Sequence, residues 1–446
     1  MRIGIKLFVV GVLLVLLMIP ILLLDGLVGE RQQRGREVAA EVTAASAGPQ
    51  QVVGPLLLVE ARKETVRERV VQRAGQPLTE TETVATIVHY LVPPDTLVID
   101  NELRTERRGR SLFEVRLYHD RMRLQGTVRH RPPAGDAKLE PLRAWLVLGL
   151  GDNRGLRTLS LGVNGADVAA EPGTRLPWLS EGLHVPVPLD ALARPVGFDW
   201  KIGLTGTGAL TWLPVAGETT VSARADWPHP GFEGRHLPQA PAIDDAGFDA
   251  RWAVSRLSSR VQQGLAACTP MGQDCAELQG GAFGVRFVEP VDRYLMTERA
   301  MKYALLFLAL VFGAVFLVEA LAARPVHVVQ YGLTGLAMAM FYLLLLSLSE
   351  HLGFGTAYSI AATACSALLG HYLAGVLGGT RRGLAFGAGL AVLYGVLYLL
   401  LRAEDFALLV GASLLFAALA SVMLLTRHTD WHAPTRSAKS SARNSR

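Results

Sequence analysis

Residues 303–318 read YALLFLALVFGAVFLV, an apolar stretch that carries no formal charge. A helix needs about 20 mostly apolar residues to cross the hydrocarbon core of a bilayer, and this stretch continues past Glu319 to Ala323. Four similar stretches follow it, at Val328–Ser349, Leu352–Thr380, Gly383–Leu401 and Phe406–Thr426. Because hydrocarbon offers the backbone no water to bind, each stretch is predicted to be a membrane-spanning helix.

One more apolar stretch lies near the beginning of the chain. Residues 7–24 read LFVVGVLLVLLMIPILLL and follow Arg2 and Lys6. The apolar part of a cleaved signal peptide is about 7–15 residues long and precedes a small-x-small cleavage site. This stretch is longer and no such site comes before Asp25. It is therefore predicted to be an uncleaved anchor, which brings the number of predicted spans to six.

The charges between the spans predict the orientation of the chain. If the N-terminus lies inside, every inside segment carries basic residues, namely Arg2, Lys6, Arg324, Arg381, Arg382 and the tail from Arg427. The short outside loops then contain Glu350 and the cluster 402–405, where one arginine accompanies two acids. This distribution follows the positive-inside rule. Both termini are therefore expected in the cytoplasm, and the long segment between the first two spans is expected outside it.

The basic balance of the chain does not indicate a nucleic-acid partner. Half of the 446 residues are hydrophobic and the net charge is +5. The excess positive charge lies in the C-terminal tail and in short loops beside apolar stretches, where membrane topology alone requires it. The lipid bilayer is the partner that this composition predicts.

Residues from about 50 to 295 have the pattern of a β-rich domain. In 112–118 the apolar residues Phe113, Val115 and Leu117 alternate with charged ones, and 219–227 alternates in the same way. Proline-rich turns at 93–95 and 228–231 separate such stretches. Many short strands with turns between them predict a sandwich of antiparallel sheets. Six of the seven tryptophans fall here and are expected in its core.

These patterns predict an α+β membrane protein with an N-terminal transmembrane helix, a β-rich, sandwich-like domain and a C-terminal bundle of five transmembrane helices. The segment 27–47 is expected to extend the first helix as a stalk that ends at Gly48-Pro49. The predicted boundaries are 1–28 for the anchor, 29–48 for the helical stalk, 49–300 for the β-rich domain, 301–427 for the bundle and 428–446 for a disordered basic tail.

Two of the three cysteines, Cys268 and Cys275, lie close together in the β-rich segment, whereas Cys365 lies in an apolar stretch. If the segment faces an oxidising compartment, the pair is expected to form a disulfide. Free thiols remain the alternative. One half of a metal site is disfavoured, because no second Cys/His pair with suitable spacing accompanies it. No metal and no cofactor is expected.

Four polar residues in or beside the spans are weak binding candidates. Glu319 is either a buried functional acid or, as we favour, an interfacial one. Glu350 and His351 offer a base or a metal ligand, but a solvated turn is the favoured interpretation, because adjacent helical side chains diverge. His371 is expected to hydrogen-bond between helices in preference to relaying protons. Small residues at Gly370, Ala374, Gly383 and Gly387 predict close packing of two neighbouring spans.

The sequence contains no Gly-x-Ser-x-Gly elbow, no His-Glu-x-x-His motif and no phosphate-binding loop. A membrane-embedded hydrolase is therefore disfavoured, and the protein is not expected to be an enzyme.

Several segments resemble one known family. They are 281–307, from Gly281-Ala282-Phe283-Gly284 onward, then 330–333, 341–354, 394–398, 404–409 and 426–431. The anchor, residues 50–55 and residues 151–157 (Gly-Asp-Asn-Arg-Gly-Leu-Arg) also resemble it. The chain is similar to the CreD family of Gram-negative inner-membrane proteins.

The resemblance implies an inner-membrane location, a periplasmic domain at residues 29–300, and a role in cell-envelope integrity with links to stress response and colicin tolerance. It supplies no catalytic residues. We therefore expect a protein that binds another envelope component, protein or glycan, through its β-rich domain. The alternative is a transporter or lipid-handling protein that uses the helix bundle.

Overall fold

The computed structural model describes residues 3–73, 76–110, 113–133, 138–268, 275, 278, 280–287, 293–322, 326–376, 378–402 and 407–427. The predicted tail at 428–446 and Arg324 lie outside this set. The chain forms two compact units, one from residues 1–34 and 291–446 and the other from residues 35–290.

The helices are long where the sequence is apolar. Their bounds are α1 Ile3–Ala45, α2 Val261–Ala267, α3 Arg293–Lys302, α4 Ala304–Ala322, α5 Val328–Ser349, α6 Phe354–Val376, α7 Thr380–Arg402 and α8 Ala407–Thr426.

Within the described residues, four helices are long and apolar enough to cross a membrane, namely α1, α5, α6 and α7. Helices α3 and α4 form a fifth candidate span if the pair counts as one, since they meet at Tyr303 with a bend of 47°. Helix α8 has an apolar part at Leu409–Leu424 that is shorter than the others. Its full 20 residues nevertheless reach about 30 Å, the thickness of the hydrocarbon core.

Large apolar side chains point outward from these helices. Phe8, Leu23, Leu384 and Phe416 are each more than 70% exposed on the protein surface. In water such a surface would be costly, whereas lipid tails accept it without penalty. The helix–helix contact predicted from small residues is also confirmed. A β-carbon on Gly383 would lie 2.4 Å from that of Ala374, so α6 and α7 approach closely at this point.

The second unit is rich in strands. Their bounds are β1 Gln50–Arg73, β2 Gln76–Val92, β3 Thr96–Arg110, β4 Phe113–Val128, β5 Lys138–Gly149, β6 Leu156–Val163, β7 Ala166–Asp167, β8 Glu171–Pro172, β9 Gly182–Val187, β10 Val196–Thr207, β11 Ala209–Leu213, β12 Glu218–Ala225, β13 Pro230–Gly234, β14 Gln239–Asp244, β15 Gly247–Ser255 and β16 Phe283–Phe287.

Two sheets share one hydrophobic core. Among the described residues, one sheet has the order β13-β16-β11-β1-β5-β9-β8, with β2 beside β1, and the other has the order β14-β15-β12-β3-β4-β10-β6-β7. The core includes Trp200, Trp212 and Trp252, all fully buried, with the last two ring centroids 5.5 Å apart. The predicted fold class, an N-terminal apolar helix, a β-rich middle and apolar C-terminal helices, is confirmed.

The expectation of purely antiparallel sheets is wrong at two places. Strand β1 pairs in parallel with β11, and β3 pairs in parallel with β12. Parallel neighbours need a long crossover connection. In both pairs more than 100 residues separate the partners along the chain, so no hairpin dictates their direction.

The start of β1 is fixed by a buried hydrogen-bond network. The amide nitrogen of Gln50 donates to the carbonyl oxygens of Asp152, at 3.0 Å, and Thr205, at 3.1 Å, while its side-chain oxygen accepts from the Asp152 backbone at 3.1 Å. The Asp152 carboxylate in turn accepts from the Gly48 backbone at 2.9 Å. A buried amide is stable only with such partners, so this network joins the segment after α1 to the sandwich.

Arg154 completes the network. Its guanidinium binds both carboxylate oxygens of Asp152 and also donates to the carbonyl oxygen of Ala44, near the end of α1. The hydrogen bonds from Arg154 lower the pKa of Asp152 to about 2, because they favour the ionised carboxylate. Gly155 is required at the next position, since a β-carbon there would lie 2.2 Å from the carbonyl oxygen of Thr205.

Replacement of Gly155 by alanine is predicted to lower the free energy of unfolding by about 1–3 kcal/mol, the usual cost of forcing an extra carbon into a packed site. Unfolding of the full chain in detergent, followed by tryptophan fluorescence, measures this. Gly197→Ala is the control, because its new carbon would meet its nearest neighbour at an ordinary 3.8 Å. Equal stability of the two variants would contradict the packing argument.

Candidate functional site

Glu319, near the end of α4, does not stand alone. The Lys6 ammonium of α1 donates to its Oε1 atom and, at 2.8 Å, to the carbonyl oxygen of Val326. The Tyr331 hydroxyl of α5 donates to Glu319 Oε2 at 3.0 Å, and Lys6 also lies 5.6 Å from the centre of the Tyr331 ring. The Lys6 and Glu319 side chains are only 11% and 13% exposed.

This cluster connects three helices through opposite charges. An isolated charge in a membrane span is costly, whereas a paired and hydrogen-bonded one is tolerated. The positive charge of Lys6 therefore explains how an acid is accommodated in α4. The arrangement is a neutral ion pair with a tyrosine donor, and it joins α1 to the consecutive helices α4 and α5, more than 300 residues further along the chain.

Glu350 ends α5 and is also partly buried. Its Oε1 atom lies 3.5 Å from Arg31 Nε and 3.5 Å from the Tyr294 hydroxyl. The adjacent His351 is exposed. Glu350 therefore contacts residues of α1 and α3, whereas the His351 side chain is exposed on the surface.

His371 lies on an exposed face of α6. Among the residues that the structure describes, no hydrogen bond to its ring is found. Polar contacts between α6 and its neighbours come from other groups. The Tyr358 hydroxyl donates to the Tyr394 carbonyl oxygen at 2.7 Å, and the Tyr394 hydroxyl donates to Cys365 Sγ at 3.3 Å.

In the β-rich unit, Cys268 and Cys275 are joined as a disulfide, and both are buried. The described ranges contain no group of three or more metal-ligating side chains. One buried acid, Asp120 on β4, has both carboxyl oxygens without a hydrogen-bond partner in the described part of the chain. Burial raises the pKa of Asp120 well above its usual range, because a charged carboxylate is costly to desolvate.

A basic cavity of about 490 Å³ opens in the same unit, and we call it the Arg235–Arg260 cavity. It is bounded by Arg235 and His236, which follow β13, and by Ser258, Ser259 and Arg260, which follow β15. Both arginines are exposed and form no ion pair with another described residue. None of the described lining residues is acidic.

Local packing shapes this cavity. The rings of His236 and Phe283 pack nearly perpendicular to each other, with centroids 5.8 Å apart. Burial together with the charge of Arg235 lowers the pKa of His236. Gly281 also lines the cavity and packs closely on Val261, since a β-carbon on Gly281 would lie 2.3 Å from Val261 Cγ2. The Ser258 hydroxyl is engaged with the Ser255 carbonyl oxygen at 2.9 Å, so the two guanidinium groups, the Ser259 hydroxyl and glycine backbone form the site suited to a phosphate or carboxylate.

Comparisons with known proteins agree with the membrane architecture. A family model described as "Inner membrane protein CreD" matches residues 2–432. The chain is also 33% identical, over 425 residues, to the Inner membrane protein CreD of Escherichia coli (strain K12). This match covers 94% of the chain and 91% of the relative.

The chain belongs to the CreD family.

A structural comparison adds no functional argument. An M1 zinc metallopeptidase from Deinococcus radiodurans shares 13% identity over 36% of the chain and 40% of its own length. Its TM-score of 0.19 is too low to indicate a common fold.

Two features of this CreD-family chain could not be predicted from its sequence. Residues 50–55 and 151–157 are recognised only as segments that resemble the family, whereas the structure brings Gln50 and Asp152 into contact. The Arg235–Arg260 cavity joins two segments that lie apart along the chain. A local signal is Gly281, where a β-carbon would collide with the Val261 side chain.

The Lys6–Glu319 pair is predicted to stabilise the helix unit. Lys6→Gln and Glu319→Gln should each destabilise it, and the double variant should lose less than the sum, with a coupling energy of about 0.5–3 kcal/mol. Unfolding of the unaltered chain, the two single variants and the double variant in detergent measures this coupling energy.

The matched control is Glu298–Lys302, a pair at 2.9 Å on α3 that is more exposed, at 30% for Glu298 and 66% for Lys302. Its coupling energy should be only about 0.3–0.5 kcal/mol. If both pairs give the same small value, the buried pair contributes no more than a surface one and the interpretation fails.

Proposed function

We propose that this protein supports the integrity of the cell envelope by binding another envelope component through its β-rich domain, without a catalytic step. The Arg235–Arg260 cavity is the observation that carries the proposal. Ligand sites are typically concave, with volumes of about 300–1,000 Å³ and a few convergent polar groups. The volume of about 490 Å³ and the two arginines meet both criteria.

The proposal includes an orientation, with both termini in the cytoplasm and residues 29–300 in the periplasm. The distribution of arginine and lysine between the spans supports it. The Cys268–Cys275 disulfide supports it too, because disulfides persist in the oxidising periplasm and are rare in the cytosol. Envelope stress response and colicin tolerance, which the family resemblance implies, belong to the same proposal.

The chemistry of the cavity favours an anionic glycan over a protein partner. Stable protein interfaces bury roughly 1,200–2,000 Å² over a broad surface, whereas this cavity is small, with serine and glycine walls that leave room for a sugar ring. Guanidinium groups bind phosphate and carboxylate with two parallel hydrogen bonds. The proposed ligand is therefore a phosphate- or carboxylate-bearing glycan of the envelope.

Photo-crosslinking from position 258 of the full chain in intact cells tests this. With both arginines present, the chain that carries the photo-crosslinking group in place of Ser258 is expected to give a product whose added mass is removed by glycan-degrading enzymes. The double change Arg235→Gln and Arg260→Gln should reduce its yield at least tenfold, since each lost charge-assisted hydrogen bond contributes about 1.5–3 kcal/mol.

Arg256→Gln is the control, because Arg256 is exposed in the same connection but does not line the cavity. It should leave the yield unchanged. An equal loss in the control, no loss in the double variant, or a product consisting of crosslinked protein would each overturn the proposal.

A further inference from the structure

A second concave site lies among the apolar helices, at a place that the proposed function does not use. Helices α4, α7 and α8 enclose a groove of about 610 Å³. Its walls are apolar and rich in small side chains, including Ala314, Ala385 and Ala418. The groove exists because these residues leave space between the helices. Gly389 illustrates this, since a β-carbon there would meet no atom within 4 Å.

The length of the groove corresponds to one leaflet of a bilayer. It extends from Leu310 to Val318 on α4 and from Arg382 to Leu393 on α7. At 1.5 Å per residue these segments cover about 12 Å and 16 Å, roughly half of the 30 Å hydrocarbon core. Because Val318 and Arg382 lie close to the ends of the apolar stretches, the groove begins at one membrane surface and ends near the midplane.

The charge lies at the surface end. Arg382 is in the first turn of α7 and is the charged member of the described groove lining. Its side chain is exposed. The hydroxyl of Ser421, in the α8 part of the lining, donates to the Ala417 carbonyl oxygen at 2.7 Å, so Arg382 is the group left to bind a phosphate. Lipid phosphates lie at this depth, and a planar guanidinium binds a phosphate through two hydrogen bonds. Basic pockets between membrane helices favour anionic headgroups for the same reason.

We propose that the groove is a binding site for one anionic glycerophospholipid, with an acyl chain along α4, α7 and α8 and the headgroup phosphate on Arg382. The apolar walls alone would accept any acyl chain. Arg382 adds the preference for a net negative headgroup, which zwitterionic lipids satisfy less well. The site lies on the side of the membrane that carries the Arg381–Arg382 loop.

Native mass spectrometry of the full-length chain tests the proposal, with defined amounts of phosphatidylglycerol or phosphatidylcholine added to the detergent-solubilised protein. The unaltered chain is expected to retain one phosphatidylglycerol in preference to phosphatidylcholine. Arg382→Gln should lower the fraction that retains phosphatidylglycerol roughly tenfold, since one charge-assisted contact is lost. Arg382→Lys should restore part of it, because the charge returns without the planar fork.

Arg381→Gln is the charge control, since its neighbouring side chain does not line the groove. Gly389→Leu should fill the groove and remove both lipids, whereas Gly395→Leu, on the same helix but outside the groove, should remove neither. An equal loss for the two arginine variants, or full retention by Gly389→Leu, would overturn the proposal. So would equal retention of both lipids by the unaltered chain. The thermal midpoint of each variant confirms that the chain remains folded.

Discussion

Hydrocarbon contains no hydrogen-bond donor or acceptor, and the helix unit of this protein is arranged to satisfy that constraint. Every backbone group within a span must bond inside its own helix, which is why the apolar stretches are helical. The same constraint applies to side chains. Glu319 is accommodated because Lys6 and Tyr331 reach it from two other helices. The hydroxyls of Tyr358 and Tyr394 donate to a carbonyl oxygen and to a thiol, respectively.

The β-rich unit has the arrangement of a domain in water, with apolar side chains inside and charged ones outside. Its two sheets bury one continuous core around Trp200, Trp212 and Trp252, and its charged residues lie mostly outside. The Gln50–Asp152–Arg154 network is a polar exception within this pattern, and it is satisfied through hydrogen bonds to backbone and carboxylate groups. The proposed binding site lies where two arginines have no ion-pair partner among the described residues. The Arg235–Arg260 cavity is such a place, and it carries the proposed function.

The sequence predicts the architecture well because apolar length and alternation are local signals. The unbroken apolar stretch at 303–318 predicts a helix in lipid, and the structure has a helix there. The alternation at 112–118 predicts a strand with one face in water, and a strand covers most of that segment. Contacts between distant segments are not encoded locally. The pairing of Lys6 with Glu319, the parallel register of β1 with β11, and the meeting of Arg235 with Arg260 all depend on tertiary arrangement. Glu319 is recognisable from its position in an apolar stretch, but its partner Lys6 is not.

The proposed function requires that the β-rich unit and the C-terminal end of α8 lie on opposite sides of the membrane. Single cysteines introduced at Asp167, exposed on β7, and at Arg427, exposed after α8, report on this directly. In cells with a permeabilised outer membrane, a membrane-impermeant maleimide is predicted to label Asp167→Cys at once. It should label Arg427→Cys only after the inner membrane is opened. Equal labelling of the two positions in cells with an intact inner membrane would contradict the account.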